Sequence, residues 1–409
     1  MTFRTALSGL NAAQSDLNVT ANNIANSSTT GFKRSRAEFA ELFAVSPQGV
    51  ATLATGNGVR VSDVSQQFAQ GSIDFTDSNL DLALSGPGFF TVSDGGALAY
   101  TRAGAFKTDA AGYVVNAQGQ RLQVYPPIDG GGFNTGSLTD LRMVTSESAP
   151  NATSMVEMLM NLPSNATPPA NPTFDPSDPT TFNRATSLTV YDSLGAAHTG
   201  TVYFLKGAAA GDWTSRLFID GTEVGTPPAT ANMHFDATGA MTTPANGQIQ
   251  FLPPYTPATG ALPLSLTFDF SGATQYGDTF SVNNITQDGY TTGRLIGMDI
   301  DKTGTVQARF TNGRSITLGQ VALSAFANPN GLQPLADTTW AETFGSGQAL
   351  RGQAGNSGFG LVQSGALEAS NVDITTQLVN MITAQRAFQA NAQMISTSDE
   401  ITQTIINIR

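Results

Sequence analysis

The chain has 409 residues and carries 19 Lys and Arg against 31 Asp and Glu, a formal net charge of -12, with only 12% of its residues charged. That length suffices for about two or three domains with separate cores, and the acidic balance excludes a nucleic-acid binder, which needs clustered cations to meet phosphates. It contains no cysteine, so its domains hold by packing without disulfides.

The ends carry the strongest pattern. Phe3, Leu7, Leu10, Gln14, Leu17, Ala21 and Ile24 fall on alternating four- and three-residue steps, the a/d seam of a seven-residue repeat. Arg4 and Asp16 are the only charges in this stretch, and Asn11, Asn18, Asn22, Asn23 and Asn26 are weak helix formers. The segment is therefore expected to be weakly helical until neighbours bury it. No apolar core of a signal peptide follows Arg4, and no run of about 18 apolar residues occurs for a membrane span. A cytoplasmic location or export without a cleaved leader both fit, and membrane insertion does not.

Ser27 to Lys33 reads as a turn, with Gly31 free to take positive φ. Lys33, Arg34 and Arg36, the densest basic group, are expected on a solvated turn. Arg34 to Val45 is expected to form a short helix with Phe39, Leu42 and Phe43 on one side. Alternation in Val59, Val61 and Val64 then predicts a strand. This region lacks a core of its own and is expected to pack on the C-terminal approach, roughly 347–368.

From Ser72 to about Val144 the chain reads as a compact β domain: Leu80, Leu82 and Leu84 alternate, Phe89, Phe90 and Val92 follow a Gly-Pro-Gly turn, and hairpin turns follow. Pro150 to Pro179, rich in Pro, Asn and Ser, reads as a linker or extended excursion. A second β region covers Leu188–Tyr191, Thr201–Leu205, Trp213–Ile219 and Leu264–Phe270. Strands return at Leu295–Ile300, Val306–Phe310 and Val321–Phe326.

The C-terminal segment repeats the opening pattern. Ile374, Leu378, Met381, Gln385, Phe388, Ala392 and Ile395 take the same steps, with Gln and Ala at the same two places, and the seam runs on through Ile401, Ile405 and Ile408. The face opposite is Asn, Gln, Ser, Thr and Ala rather than charged, which suits a helix surrounded by protein or lining a polar channel. Two matched helices are expected to pack together, either closing a monomer or joining copies from other subunits.

The expected fold is mixed and multidomain: N- and C-terminal α-helices form a coiled-coil-like inner domain, with nested all-β outer domains. The expected division is 1–31 with 370–409 as the helical core, 32–71 with 347–369 as a linking region, 72–147 with 278–346 as a middle β domain, and 148–277 as an inserted outer β domain. The sixteen positions Phe3 to Ile24 and Ile374 to Ile405 named above are the expected assembly interface.

No catalytic constellation, cofactor site or metal site is read. His198 and His234 lack ligands at metal-binding spacing and are expected at loops or strand edges. The run Asp299, Asp301, Thr303, Gly304 imitates a calcium loop, but Phe310 stands where a bidentate Glu is required, so a hairpin turn is expected. Trp213 and Trp340 keep open a different class, a monomeric β-rich glycan or ligand binder.

Specific stretches resemble the axial proteins of the bacterial flagellum, the rod and hook family, most closely its hook members. They are ALSGLNAAQSDLNVTANNIANSSTTGFK, DLALSGPGFFTV, YTRAGAFKTDAAGYVVNAQGQRLQVY, the run from QDGYTTGRLIGMDIDKTG to ANPNGL, and SGALEASNVDITTQLVNMITAQRAFQANAQMI. The resemblance implies a non-enzymatic subunit, exported through the flagellar type III apparatus, that polymerises into a tube around the export channel. That tube is a flexible universal joint carrying torque from rod to filament. It further implies as partners many copies of itself, the distal rod protein, the hook cap, the hook–filament junction protein and the hook-length control protein. A distal-rod or hook-associated member is the alternative within the family.

Overall fold

The computed structural model describes residues 2–42, 56–128, 130–143, 147–225 and 231–407. The chain divides into two compact units, one built from 1–145, 297–309 and 315–409, the other from 146–296 and 310–314.

The first unit holds both ends. Helix α1 spans Thr2–Ala25 and helix α2 spans Ile374–Asn407. Between them the backbone is β. Ser35–Glu41 pairs antiparallel with Val59–Gln66, with a bulge between Glu38 and Phe39. The helix expected over Arg34 to Val45 is thus a strand where it is described, and Phe43 and Val45 lie outside the described residues. Phe39 and Leu42 sit three apart, a spacing that fits a helical face. Opposite them, however, Val59, Val61 and Val64 offer a β-branched strand to pair with, and that pairing decides the outcome.

Two short pairings tie the chain's halves together, Ile73–Phe75 with Ala366–Glu368 and Leu82–Ser85 with Leu361–Ser364. The main sheet runs in order Thr305–Phe310, Ser315–Val321, Arg121–Tyr125, Phe89–Asp94, Ala97–Thr101, Thr339–Ala341. Its strand alternation separates two apolar clusters. Phe90, Val92, Leu122, Val124, Val321 and Leu323 fill one core. Phe89, one residue away, joins Tyr100, Phe326, Leu332 and Trp340 in another. Phe68 closes that aromatic group edge-to-face, with ring centroids 5.6 Å from Phe89 and 5.5 Å from Trp340.

The second unit is a pair of sheets over one core. Arg184–Tyr191, Ala197–Lys206, Asp212–Ile219, Ala231–Phe235 and Met241–Thr243 follow one another in one sheet; the other runs Gln248–Gln250, Thr267–Asp269, Met155–Asn161, Ser281–Gln287. Two expectations change here. The stretch read as a linker contains the inner strand Met155–Asn161, whose Val156, Met158 and Met160 are fully buried beside Phe204, Trp213, Phe268 and Phe270. Its alternation was masked by the Pro and Asn that follow it. Strand Ser281–Gln287 pairs with that same strand, so 278–296 belongs with the inserted unit rather than with the middle domain.

Trp213 and Trp340 are both buried, packed in the cores of their units. The Asp301 carboxylate accepts the amides of Thr303 and Thr305 and shapes a hairpin turn. His234 lies half-exposed on its strand beside Asp212.

His198 is not a loop residue. It is buried in strand Ala197–Lys206, with Nδ1 2.6 Å from Asp220 Oδ2 and Nε2 3.4 Å from Asp192 Oδ2. Burial works against its charged form, but hydrogen bonds to the two carboxylates outweigh it and raise the imidazole pKa above the ordinary 6.5. A raised pKa stabilises the fold fully below about pH 6.5, and the gain is lost as pH rises through the folded-state value. The two aspartates resist burial through backbone and His198 hydrogen bonds and sit below the ordinary 3.8, so their contribution fades only in acid. Urea midpoints should therefore fall between pH 6 and 8, and His198→Gln should flatten that slope; an unchanged slope in the variant would remove His198 as its source.

Candidate assembly interface

Helices α1 and α2 pack antiparallel. A Cβ on Gly9 would lie 2.6 Å from the Asn391 side chain, and Asn23 Nδ2 donates to Gln377 Oε1 at 3.2 Å. The residues that α1 buries are small or polar: Ala6, Ala12, Ala13, Thr20 and Asn23. On α2 the buried pair is Gln377 and Ala384. Small side chains let the two axes approach closely.

The predicted seam positions divide between half-buried and exposed ones. Phe3, Leu7, Gln14 and Ala21 on α1 are exposed, while Leu10, Leu17 and Ile24 are half-buried. On α2, Ile374, Leu378, Gln385 and Ile401 are exposed, and Met381, Phe388, Ala392 and Ile395 are half-buried. The side chain of Ile405 and the whole of Ile408 fall outside the described residues. Ala6, Ala13 and Thr20 each precede a seam position by one residue, a rotation of about 100° around the helix. The pattern located the two helices, and most of the residues they bury completely lie one position before a seam residue. The chain buries its smallest helix residues completely and leaves Phe3, Leu7, Ile374, Leu378 and Ile401 of the seams exposed. Further exposed apolar side chains on α2, Val379, Ile382, Met394 and Ile406, were not part of the predicted set.

The junction between helices and sheets is tightly specified. Asn23 also clamps the following hairpin, donating to Ser35 O and accepting from Ser35 N, both at 2.8 Å. Asn371, just before α2, accepts the Arg34 amide at 2.8 Å and donates to Gln67 O and Ala69 O. Asp373 caps α2 by accepting the Thr376 amide at 2.7 Å, which holds its carboxyl below the usual range. Gly31 takes φ +69°, and a Cβ there would sit 2.4 Å from the Ala103 backbone nitrogen.

At the centre lies Glu368, fully buried. It accepts from Lys33 Nζ at 2.6 Å, from Arg102 Nη1 at 3.2 Å and from the Gly71 amide at 3.0 Å. Lys33 was expected on a solvated turn; its side chain is fully buried and also donates to Ala69 O at 2.9 Å. Burial lowers the Lys33 ammonium and the Arg102 guanidinium below their ordinary pKa values, and Glu368 opposes the shift in both. The only sequence clue was distant: a lone Glu in SGALEAS, about 335 residues from its partner. Nothing local marks such a pair.

Comparison with known proteins follows the same outline. Family models match at 3–33 (flagella basal body rod protein), 83–167 (flagellar hook protein FlgE/F/G D1 domain), 161–290 (flagellar basal body protein FlaE D2 domain) and 363–408 (flagellar basal body rod FlgEFG protein C-terminal). The flagellar hook protein FlgE of Salmonella typhimurium is 38% identical over 422 residues, covering all of both chains. That of Escherichia coli is 38% identical over 424 residues, again end to end, and that of Rhizobium meliloti 35% over 423 residues, covering all of this chain and 98% of the relative. In fold, the chain is similar to the crystal structure of the Helicobacter pylori flagellar hook protein FlgE2, with a TM-score of 0.53 at 14% identity over 72% of this chain and all of that one. Relatives of this identity, matched along their full length, settle the family: the chain belongs to the flagellar hook proteins.

Proposed function

We propose that this chain is a non-enzymatic structural subunit that self-assembles into the tubular flagellar hook, the flexible joint that carries torque from rod to filament and encloses the export channel. The observation that carries the reading is the offset of the seams. One subunit buries the small residues of its helices internally and leaves the seam residues Phe3, Leu7, Ile374, Leu378 and Ile401 exposed, available to adjoining copies. The sixteen seam positions are the proposed assembly interface.

The second unit supports the joint's flexibility. Its exterior strand positions Ser187, Thr189, Thr199 and Thr201 are polar and pair with one another across the sheet, as in the 3.0 Å contact of Ser187 and Thr201. Such faces slide against neighbours without breaking a large apolar contact. The proposed partners are further copies of the chain, the distal rod, the cap, the junction and length-control proteins and the type III export apparatus, and the proposed location is the extracellular hook. Electron micrographs of concentrated full-length chain should show tubes, and a version lacking residues 1–30 and 370–409 should stay monomeric. Tubes from the truncated form would overturn the role given to the helices.

A further inference from the structure

Residues 252–263 of the second unit include Pro253, Pro254, Pro257 and Pro263. Proline has no amide hydrogen, so the stretch cannot join a sheet ladder. It is sunk in the core at its two ends, Phe251 and Leu264, and Tyr255 and Leu264 exchange both backbone hydrogen bonds. Its middle is a strap, held by side chains against the turns that follow Arg184–Tyr191 and Asp212–Ile219. The Tyr255 hydroxyl donates to Asp220 Oδ2 at 3.4 Å, Thr259 Oγ1 donates to Asp192 Oδ2 at 3.1 Å, and the Leu262 amide donates to Ser193 Oγ at 2.9 Å.

The two carboxylate oxygens that hold the strap are the same two that hold His198. The Tyr255 ring also meets the imidazole edge-on, with centroids 5.8 Å apart. Asp192, Asp220 and Tyr255 are the titratable groups that face His198. Burial and the Asp220 carboxylate push the Tyr255 phenol above its ordinary 10.0, so it remains a donor throughout the neutral range. Asp192 is fully buried, and its other oxygen is occupied by the Leu194 and Ala196 amides.

We propose that the proton on His198 fastens this strap, and that losing it releases residues 259–262 while the Tyr255 end stays in place. The imidazolium donates from both nitrogens, whereas the neutral ring keeps one donor. The shorter contact, 2.6 Å from Nδ1 to Asp220, retains it. Nε2 then turns a lone pair toward Asp192 Oδ2, and a buried carboxylate is left without its cation. Such a group needs water, and Thr259 covers the oxygen that must receive it, so solvation lifts the strap at that end. Proton binding and strap closure are therefore linked, each strengthening the other. The latch needs no second copy and is read on the single chain, apart from the assembly proposed above.

Hydrogen exchange on the full-length chain, corrected for the intrinsic rate, should show the Leu262 amide losing protection by about tenfold or more between about pH 5.5 and 8.5, while the amides of Asp212–Ile219 keep theirs. His198→Gln should remove that pH dependence. Thr259→Val should loosen Leu262 already in acid. By the same linkage it should lower the NMR titration midpoint of His198 and leave unmoved that of His234, which pairs with Asp212 instead. Leu262 protection that ignores pH, or that falls in step with the sheet, would overturn the latch. So would a pH dependence that survives in His198→Gln, or a His198 midpoint that stays put in Thr259→Val.

Discussion

Placing a carboxylate on the exposed stripe, as in Leu7→Asp with Leu378→Asp, should abolish tube formation while leaving the monomer's urea midpoint nearly unchanged. In the single chain these side chains are 42% and 46% exposed, so an aspartate at either site keeps its water. In a polymer that buries the stripe, each aspartate loses that water with no cation on the seam to replace it, at a cost of several kcal/mol. Every subunit pays it at every contact. At about 1.4 kcal/mol per factor of ten, a loss of 3 kcal/mol already raises the polymerisation threshold by roughly a hundredfold. The matched control lies on the adjacent face. Ala13→Leu or Ala384→Leu forces volume between helices that touch through small residues, and should cost the monomer about 1–3 kcal/mol. Polymer from the aspartate variant, or a monomer more damaged by it than by the alanine replacements, would mean that the stripe is not the shared surface.

That contrast also shows how far the sequence could be read. The heptad spacing of Phe3 to Ile24 and Ile374 to Ile395 was enough to find both helices, because periodicity is a local property. Which face each helix gives to the other was not local. It depended on Gly9 permitting a close approach to Asn391 and on a hydrogen bond between Asn23 and Gln377. The asparagines read only as weak helix formers turn out to be the clamps of the junction, at Asn23 and Asn371. The β units were legible where alternation was clean, as at Leu188–Tyr191, and illegible at Met155–Asn161, where composition downstream outvoted three alternating apolar residues. Lys33 was misread for a related reason: a lysine next to two arginines looks solvated until the partner from the far end of the chain is known.

That partner is the subject of the second large effect. Glu368→Ala should destabilise the first unit by about 3–5 kcal/mol, the range for removing one member of a buried ionic group and stranding the rest. Here it strands two cations, since Lys33 and Arg102 share the carboxylate and lie close enough for Arg102 to depress the Lys33 pKa. The pH dependence identifies the cause. With Glu368 gone, nothing opposes the burial that already lowers Lys33, so the folded state binds its proton less well than the unfolded chain does. Stability of the variant should then rise with pH from neutrality toward the ordinary 10.5 of a free lysine, more steeply than in the unsubstituted chain. Urea unfolding at pH 7 and pH 9.5 measures it, and a flat difference between the two would show that the loss comes from packing instead. Replacing the whole group, with Lys33→Met, Arg102→Leu and Glu368→Leu, should recover much of the stability because no charge remains to be desolvated. If that triple variant folds well yet polymerises poorly, the charges serve register rather than strength. They hold the turn after α1, the approach to α2 and the sheet in one arrangement, which a joint under torque needs and which an apolar contact of equal strength would let slip.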